Sequence, residues 1–281
     1  MGARLGRPWG VRGAAGVLVA SAAGGVVLGA VAASGALALG WGMEWAMVLS
    51  SVLTFGVPGV VARRYVVGRW RRQGVRVTVL LLSLLLVFAC QGVVAWASAV
   101  DVWVYTKIWG DCGPRLVANA EALLSVCHFD GAWGWAVTIV VVAFVPAVVE
   151  EIFFRGALLP MIRRVTGGWM SAVVLSAVVF SLIHCDMSAF LSRMILGLVL
   201  GAIFIYSRTL VASISFHFLN NLLVVLTVGM AKDSMGILTA RAEMPSLAGS
   251  LFSLAATVYM VYLVGCFSGT IRRSGEAGSG S

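Results

Sequence analysis

Residues 148–156 read VVEEIFFRG and lie inside the run WGWAVTIVVVAFVPAVVEEIFFRGALLPMI, which extends from Trp133 to Ile162. A run of that length and apolarity predicts a membrane-crossing helix. Glu150, Glu151 and Arg155 are its only charged residues. Charge in hydrocarbon is expensive and usually marks a pathway, a relay or an active site.

The rest of the chain repeats the pattern. Over 281 residues the mean hydropathy is +1.00, with 60% hydrophobic and 11% charged residues. Apolar runs of about 20 residues alternate with short polar breaks. Such runs predict an all-α, polytopic membrane helix bundle, because a barrel would alternate polar and apolar residues every second position. The net charge of +9 resides in short arginine clusters between runs, the pattern of cytoplasmic loops, which argues against a nucleic-acid partner and for a lipid bilayer. Five cysteines without CxxC spacing offer no zinc ribbon or redox motif. Cys90, Cys185 and Cys266 read as packing residues, whereas Cys112 and Cys127 share a polar connection where a disulfide could form in an oxidising compartment.

About eight spans are expected, at about 14–39, 45–62, 77–100, 133–162, 169–185, 189–206, 210–230 and 247–267. The first follows Arg4, Arg7 and Arg12; its apolar part is longer than a signal-peptide core, which predicts an uncleaved helix. Gly24, Gly25 and Gly29 would let it approach a neighbour closely. Arg63, Arg64, Arg69, Arg71, Arg72 and Arg76 form the most basic stretch, with Arg163, Arg164, Arg208, Arg272 and Arg273 on the same side. This places both termini in the cytoplasm of a multi-pass plasma-membrane protein. The connection from Asp101 to about Gly131 is expected outside, with a short helix over 115–126. His128 reads there as a solvated surface group. Residues 1–273 form one membrane domain with a core at about 133–230, and 274–281 a flexible tail.

Glu151 and Arg155 are spaced i,i+4 and can pair on one helix face, while Glu150 points about 100° away toward a cavity. Alone, the trio could also be a helix end wetted by headgroups, with Arg155 snorkelling. Two of the three histidines strengthen the first reading, because His184 ends FSLIH and His217 begins HFLNN, each in another apolar run. Phe180 lies four residues before His184 and Asn221 four after His217, so each pair shares a face. Counting about 1.5 Å per residue, Glu150 lies roughly 20 Å from its cytoplasmic end, His217 roughly 10 to 12 Å and His184 about 25 to 28 Å, a spread larger than one site. Helix tilt or a shifted boundary must close that gap. Arg193 is expected to pair with Asp186, and Gly197 with Gly201 to form a packing face.

EEIFFR, FSLIH and HFLNN resemble the EExxxR, FxxxH and HxxxN motifs of the CAAX protease and bacteriocin-processing (CPBP, or Abi) family of intramembrane proteases, which includes the type II CAAX prenyl endopeptidases. The resemblance covers about Val149 to Asn221, with the motifs in the family's order. It implies an intramembrane glutamic endopeptidase acting on a peptide or membrane-anchored protein, such as a prenylated or leader-peptide substrate. Glu150 would be the general base, helped by His184; Glu151 and Arg155 would hold the site in shape; His217 and Asn221 would stabilise the oxyanion. No cofactor is implied. Two histidines and a glutamate also suit zinc, although there is no HExxH. A non-enzymatic alternative is a membrane scaffold or an ion- or proton-handling carrier built on the same polar groups.

Overall fold

The structure is a computed structural model that describes residues 10–66, 76–231 and 246–269. Arg4, Arg7, Arg69, Arg71, Arg72, Arg272, Arg273 and the expected tail lie outside the described residues. Among the described residues every regular element is helical, and there is no strand. The helices are α1 (Val11–Ala38), α2 (Met43–Ser51, continuing through Val52–Gly56 to Val57–Val66), α3 (Val77–Trp109) and α4 (Gly113–Leu124). They are followed by α5 (Gly131–Thr166), α6 (Trp169–Leu182), α7 (Phe190–Ser207), α8 (Leu210–Ala231) and α9 (Leu247–Ser268). A 3₁₀ turn at Met187–Ala189 leads into α7.

Seven of these helices are long and apolar enough to cross a bilayer. The fifth expected span, α6, has 14 residues and extends only about 21 Å at ~1.5 Å per residue, short of a bilayer core of about 30 Å. The chain is a multi-pass membrane protein. Val26, Leu81, Phe88 and Phe252 are exposed, as lipid-facing side chains should be, and Trp41, Trp109 and Trp133 cluster at the ends of α1, α3 and α5 where an aromatic belt would sit.

Two boundaries differ from expectation. Helix α3 runs on to Trp109, so Asp101 is a buried helical residue and not the start of the outer connection. Its carboxylate accepts from the amides of Leu191 at 2.7 Å and Ser192 at 2.9 Å, satisfying amides that the first turn of α7 leaves without helical partners. Helix α6 stops at Leu182, and His184 therefore lies in the following turn, outside the apolar span assigned to it. The chain reverses there through Cys185, at φ 51.

α2 and α5 contain π-helical turns at Val52–Gly56, Ile139–Phe144 and Phe154–Leu158. Each is followed two residues later by a proline, Pro58, Pro146 or Pro160. Proline lacks an N–H and clashes with the carbonyl four residues back. That residue is Thr54, Val142 or Gly156, and each falls within the π turn that widens to accommodate it.

Two apolar clusters enclose a narrow polar zone. One joins α3, α7, α8 and α9 through Leu86, Val87, Leu200, Ile203, Phe216 and Val264. The other joins α1, α2, α5 and α6 through Leu18, Ala62, Phe153, Phe154, Met161 and Phe180. Glycines allow close contact where expected: a Cβ on Gly25 would meet Pro58 and Leu53, and one on Gly29 would meet Thr54. Gly24 faces away, with nothing within 4 Å. A Cβ at Gly197 would lie 3.0 Å from Ala177, and one at Gly201 3.0 Å from Val173, so this face of α7 packs directly on α6.

Candidate active site

Glu151 and Arg155 are fully buried on α5, with the guanidinium Nη1 donating to Glu151 Oε1 at 2.6 Å. Arg155 Nη2 donates to the Gly197 carbonyl of α7 at 3.1 Å. The arginine lies against the Phe180 ring, 5.0 Å from its centroid. Such a buried pair holds together because each charge offsets the other's desolvation. Two polar atoms in this zone, Glu151 Oε2 and Arg155 Nε, have no partner among the described residues.

His217 connects the glutamates. Its Nδ1 lies 3.1 Å from Glu151 Oε1, and its Nε2 lies 4.0 Å from Glu150 Oε2. A carboxylate can only accept, so Nδ1–H is the donor to Glu151 and Nε2 is directed toward Glu150. Glu150, half-buried, makes no hydrogen bond among the described residues. Asn221, one turn along α8 from His217, is also half-buried and without a side-chain hydrogen bond among them.

His184 reaches the same zone from the turn after α6. Its ring centroid is 5.2 Å from that of Phe180, and the His217 ring is 6.0 Å from the same Phe180 ring. Its Nδ1 bonds to the Phe180 carbonyl at 2.8 Å, leaving Nε2 for other partners. The Phe180 ring thus contacts both histidines. His184 makes no contact with Glu150 within hydrogen-bonding distance among the described residues. Five of the six expected residues are nonetheless linked, Glu150, Glu151 and Arg155 to His217 by polar contacts and His184 to His217 through the Phe180 ring, while Asn221 lies one turn along α8.

Sequence reasoning missed the supports around this group. Asp186, 5% exposed, accepts from the Ser188 hydroxyl at 2.6 Å, the Ser188 amide at 3.2 Å, Asn119 of α4 at 3.1 Å and Arg193 of α7 at 3.0 Å. The Arg193 pairing alone was anticipated. Burial acts to raise the Asp186 pKa, but the bonds from Ser188 and Arg193 outweigh it and hold the carboxyl below its usual range. A cleft of about 250 Å³ lined by Tyr105, Trp109, Arg115, Cys185 and Met187 opens beside this turn. At the same end His128 lies 3.4 Å from Glu44, so it is a paired surface histidine. Cys112 and Cys127 are both free thiols, and burial pushes the Cys127 pKa up to about 11.

No three His, Cys, Asp or Glu side chains form a metal-holding group among the described residues. Residues 132–223 match the family described as type II CAAX prenyl endopeptidase Rce1-like. The matched segment spans α5 to α8 and contains all six candidate residues, which bears out the resemblance drawn from the three motifs. No curated protein and no solved structure matches the chain.

Proposed function

We propose that this membrane protein is an intramembrane endopeptidase of the CAAX type that activates water with a glutamate and needs no metal. The observation that carries the reading is the placement of His217 between Glu150 and Glu151, with Arg155 locked behind them and the family match covering the same helices. Glu150 is the one carboxylate of the pair not already committed to a strong partner, which suits a base that must take up and return a proton.

In this mechanism Glu150 removes a proton from water, and the water oxygen attacks the scissile carbonyl carbon. The carbonyl oxygen becomes an oxyanion that accepts from Asn221 Nδ2 and from His217 Nε2–H. In this form His217 carries a proton on each nitrogen; Glu150 and Glu151 balance its charge before the proton transfer, and Glu151 with the oxyanion balances it once Glu150 holds the water proton. Collapse of the tetrahedral adduct breaks the C–N bond while Glu150 returns its proton to the leaving amine. His184 orients the water through Nε2, and Glu151 with Arg155 keeps the helix face and the His217 ring in place. The substrate is a peptide or membrane-anchored protein, prenylated or leader-bearing, reached through the plasma membrane.

Reconstituted wild-type protein is expected to cleave prenylated or membrane peptides, and Glu150→Gln to lose that activity by at least 10²-fold while keeping its unfolding temperature. Equal cleavage by both would overturn the assignment. Stoichiometric zinc in the purified protein, lost together with activity in His184→Ala, would overturn the metal-free mechanism. Proton or metal flux in liposomes that vanishes in Glu150→Gln, without peptide cleavage by the wild type, would favour the carrier reading.

A further inference from the structure

The turn that carries His184 is strained. Cys185, a residue with a Cβ, sits at φ 51, in a region that such residues occupy only when their surroundings hold them there. The restraints converge on the next residue. Arg193 donates from Nη1 to the Asp186 carbonyl at 3.2 Å and from Nη2 to its carboxylate at 3.0 Å, gripping backbone and side chain together. From α4, Asn119 donates to the same carboxylate, and Arg115 reaches both the Cys185 carbonyl at 3.2 Å and Asp186 at 3.6 Å. Ser188 closes the group from the α7 side.

Arg193 and Gly197 are spaced i,i+4 on α7 and face the same side. Gly197 accepts from Arg155, and Arg193 holds Asp186. One rigid helix therefore grips the glutamate helix and the histidine turn within a single turn of its own length. The N-terminus of that helix is in turn fixed to α3 by Asp101.

We propose that Asp186 is a positioning residue for His184: its carboxylate, clamped by Arg193 and Asn119, sets the histidine ring relative to Glu150 and Glu151. This inference rests on the endopeptidase reading for its effect on rate, but not for its effect on the turn. Asp186 touches neither substrate nor reacting atoms, and loss of its clamp lets the turn relax out of the strained conformation. A displacement of about 1 Å can cost on the order of 10²-fold in rate.

The test uses full-length protein in lipid, with Cys185 as the only cysteine, because its exposed thiol reports on the turn directly. Asp186→Ala is expected to lower kcat by about 10²-fold with KM nearly unchanged, and to change the rate of Cys185 alkylation by about tenfold or more. Asp186→Glu, which keeps the charge, is expected to recover part of both. Unchanged kcat would overturn the proposal, as would a lowered kcat with unaltered Cys185 alkylation. Should Asp186→Ala fail to fold, Arg193→Met and Asn119→Ala are judged by the same two criteria. If the wild type cleaves no peptide, the endopeptidase reading fails by itself, and Cys185 alkylation still decides whether Asp186 holds the turn.

Discussion

At the residue scale, Arg155 is the most consequential charge in the molecule. It is fully buried, and its main partner, Glu151, is buried equally. Replacing it with Met strands a carboxylate in the interior, and breaking a buried pair in this way costs about 3–5 kcal/mol. Arg155→Met is therefore expected to lower the unfolding temperature sharply in thermal melts. Arg155→Met combined with Glu151→Met should recover most of the loss, because no unpaired charge remains; a double variant as unstable as the single one would contradict this account. The i,i+4 spacing made the pair legible, whereas the Gly197 carbonyl that shares the arginine was not, since a backbone acceptor leaves no mark in a sequence. Asp186 gives a prediction in pH. Its folded-state pKa is depressed, so its contribution is complete above the unfolded value near ~3.9 and is lost as pH falls through the folded one. The stability difference between wild type and Asp186→Asn should be flat near neutrality and shrink below about pH 4. A difference that persists at lower pH would show that the carboxylate's charge is not what stabilises the turn.

At the element scale, helix existence followed directly from apolar run length, and helix ends did not. Asp101 looked like the end of a span because an acidic side chain usually prefers water. The apolar and aromatic pattern continues beyond it through Val102, Trp103, Val104 and Tyr105, a signal for a longer helix that could have been followed. Its partners are backbone amides of α7, some ninety positions later in the chain, and no local pattern could reveal them. Helix α6 was overextended for the opposite reason: Ile183 continues the apolar run, and the reversal at Cys185 uses a backbone conformation that its residue type does not advertise. Pro58, Pro146 and Pro160 each follow a π turn that holds the carbonyl four residues back, and the width of that turn accommodates the proline ring. Packing of α7 on α6 is testable through Gly197. Its Cβ position meets Ala177 backbone at 3.0 Å, so Gly197→Val must push the helices apart, at about 1–3 kcal/mol. Gly35→Val, on an open face of α1, has nothing within 4 Å and should be close to neutral. Similar melting temperatures for the two variants would mean that the contact contributes nothing.

At the scale of the whole molecule, the arrangement of charge and the alternation of helices make one coherent topology. Arg63 and Arg64 end α2, and Arg163 and Arg164 end α5. Arg76, at the start of α3, donates to the Phe267 carbonyl near the end of α9, joining two distant parts of the chain at that same end. Asp111, Glu121 and Asp130 lie at the other end, with the Glu44–His128 pair and the turn that carries His184. Positive-inside asymmetry then predicts that the arginine-rich end faces the cytoplasm and the His184 turn opens to the opposite side. The short α6 stops at Leu182, and the cleft bordered by Tyr105, Trp109 and Arg115 lies beside the turn that follows it, at the same end of the molecule. Two native thiols test the orientation. Cys185 is exposed beside the cleft, and Cys266, half-buried, lies near the opposite end of α9. In intact cells a membrane-impermeant thiol reagent is expected to modify a variant retaining only Cys185 and to spare one retaining only Cys266. Permeabilisation should then expose Cys266. The reverse pattern would invert the topology and place the His184 turn on the cytoplasmic face.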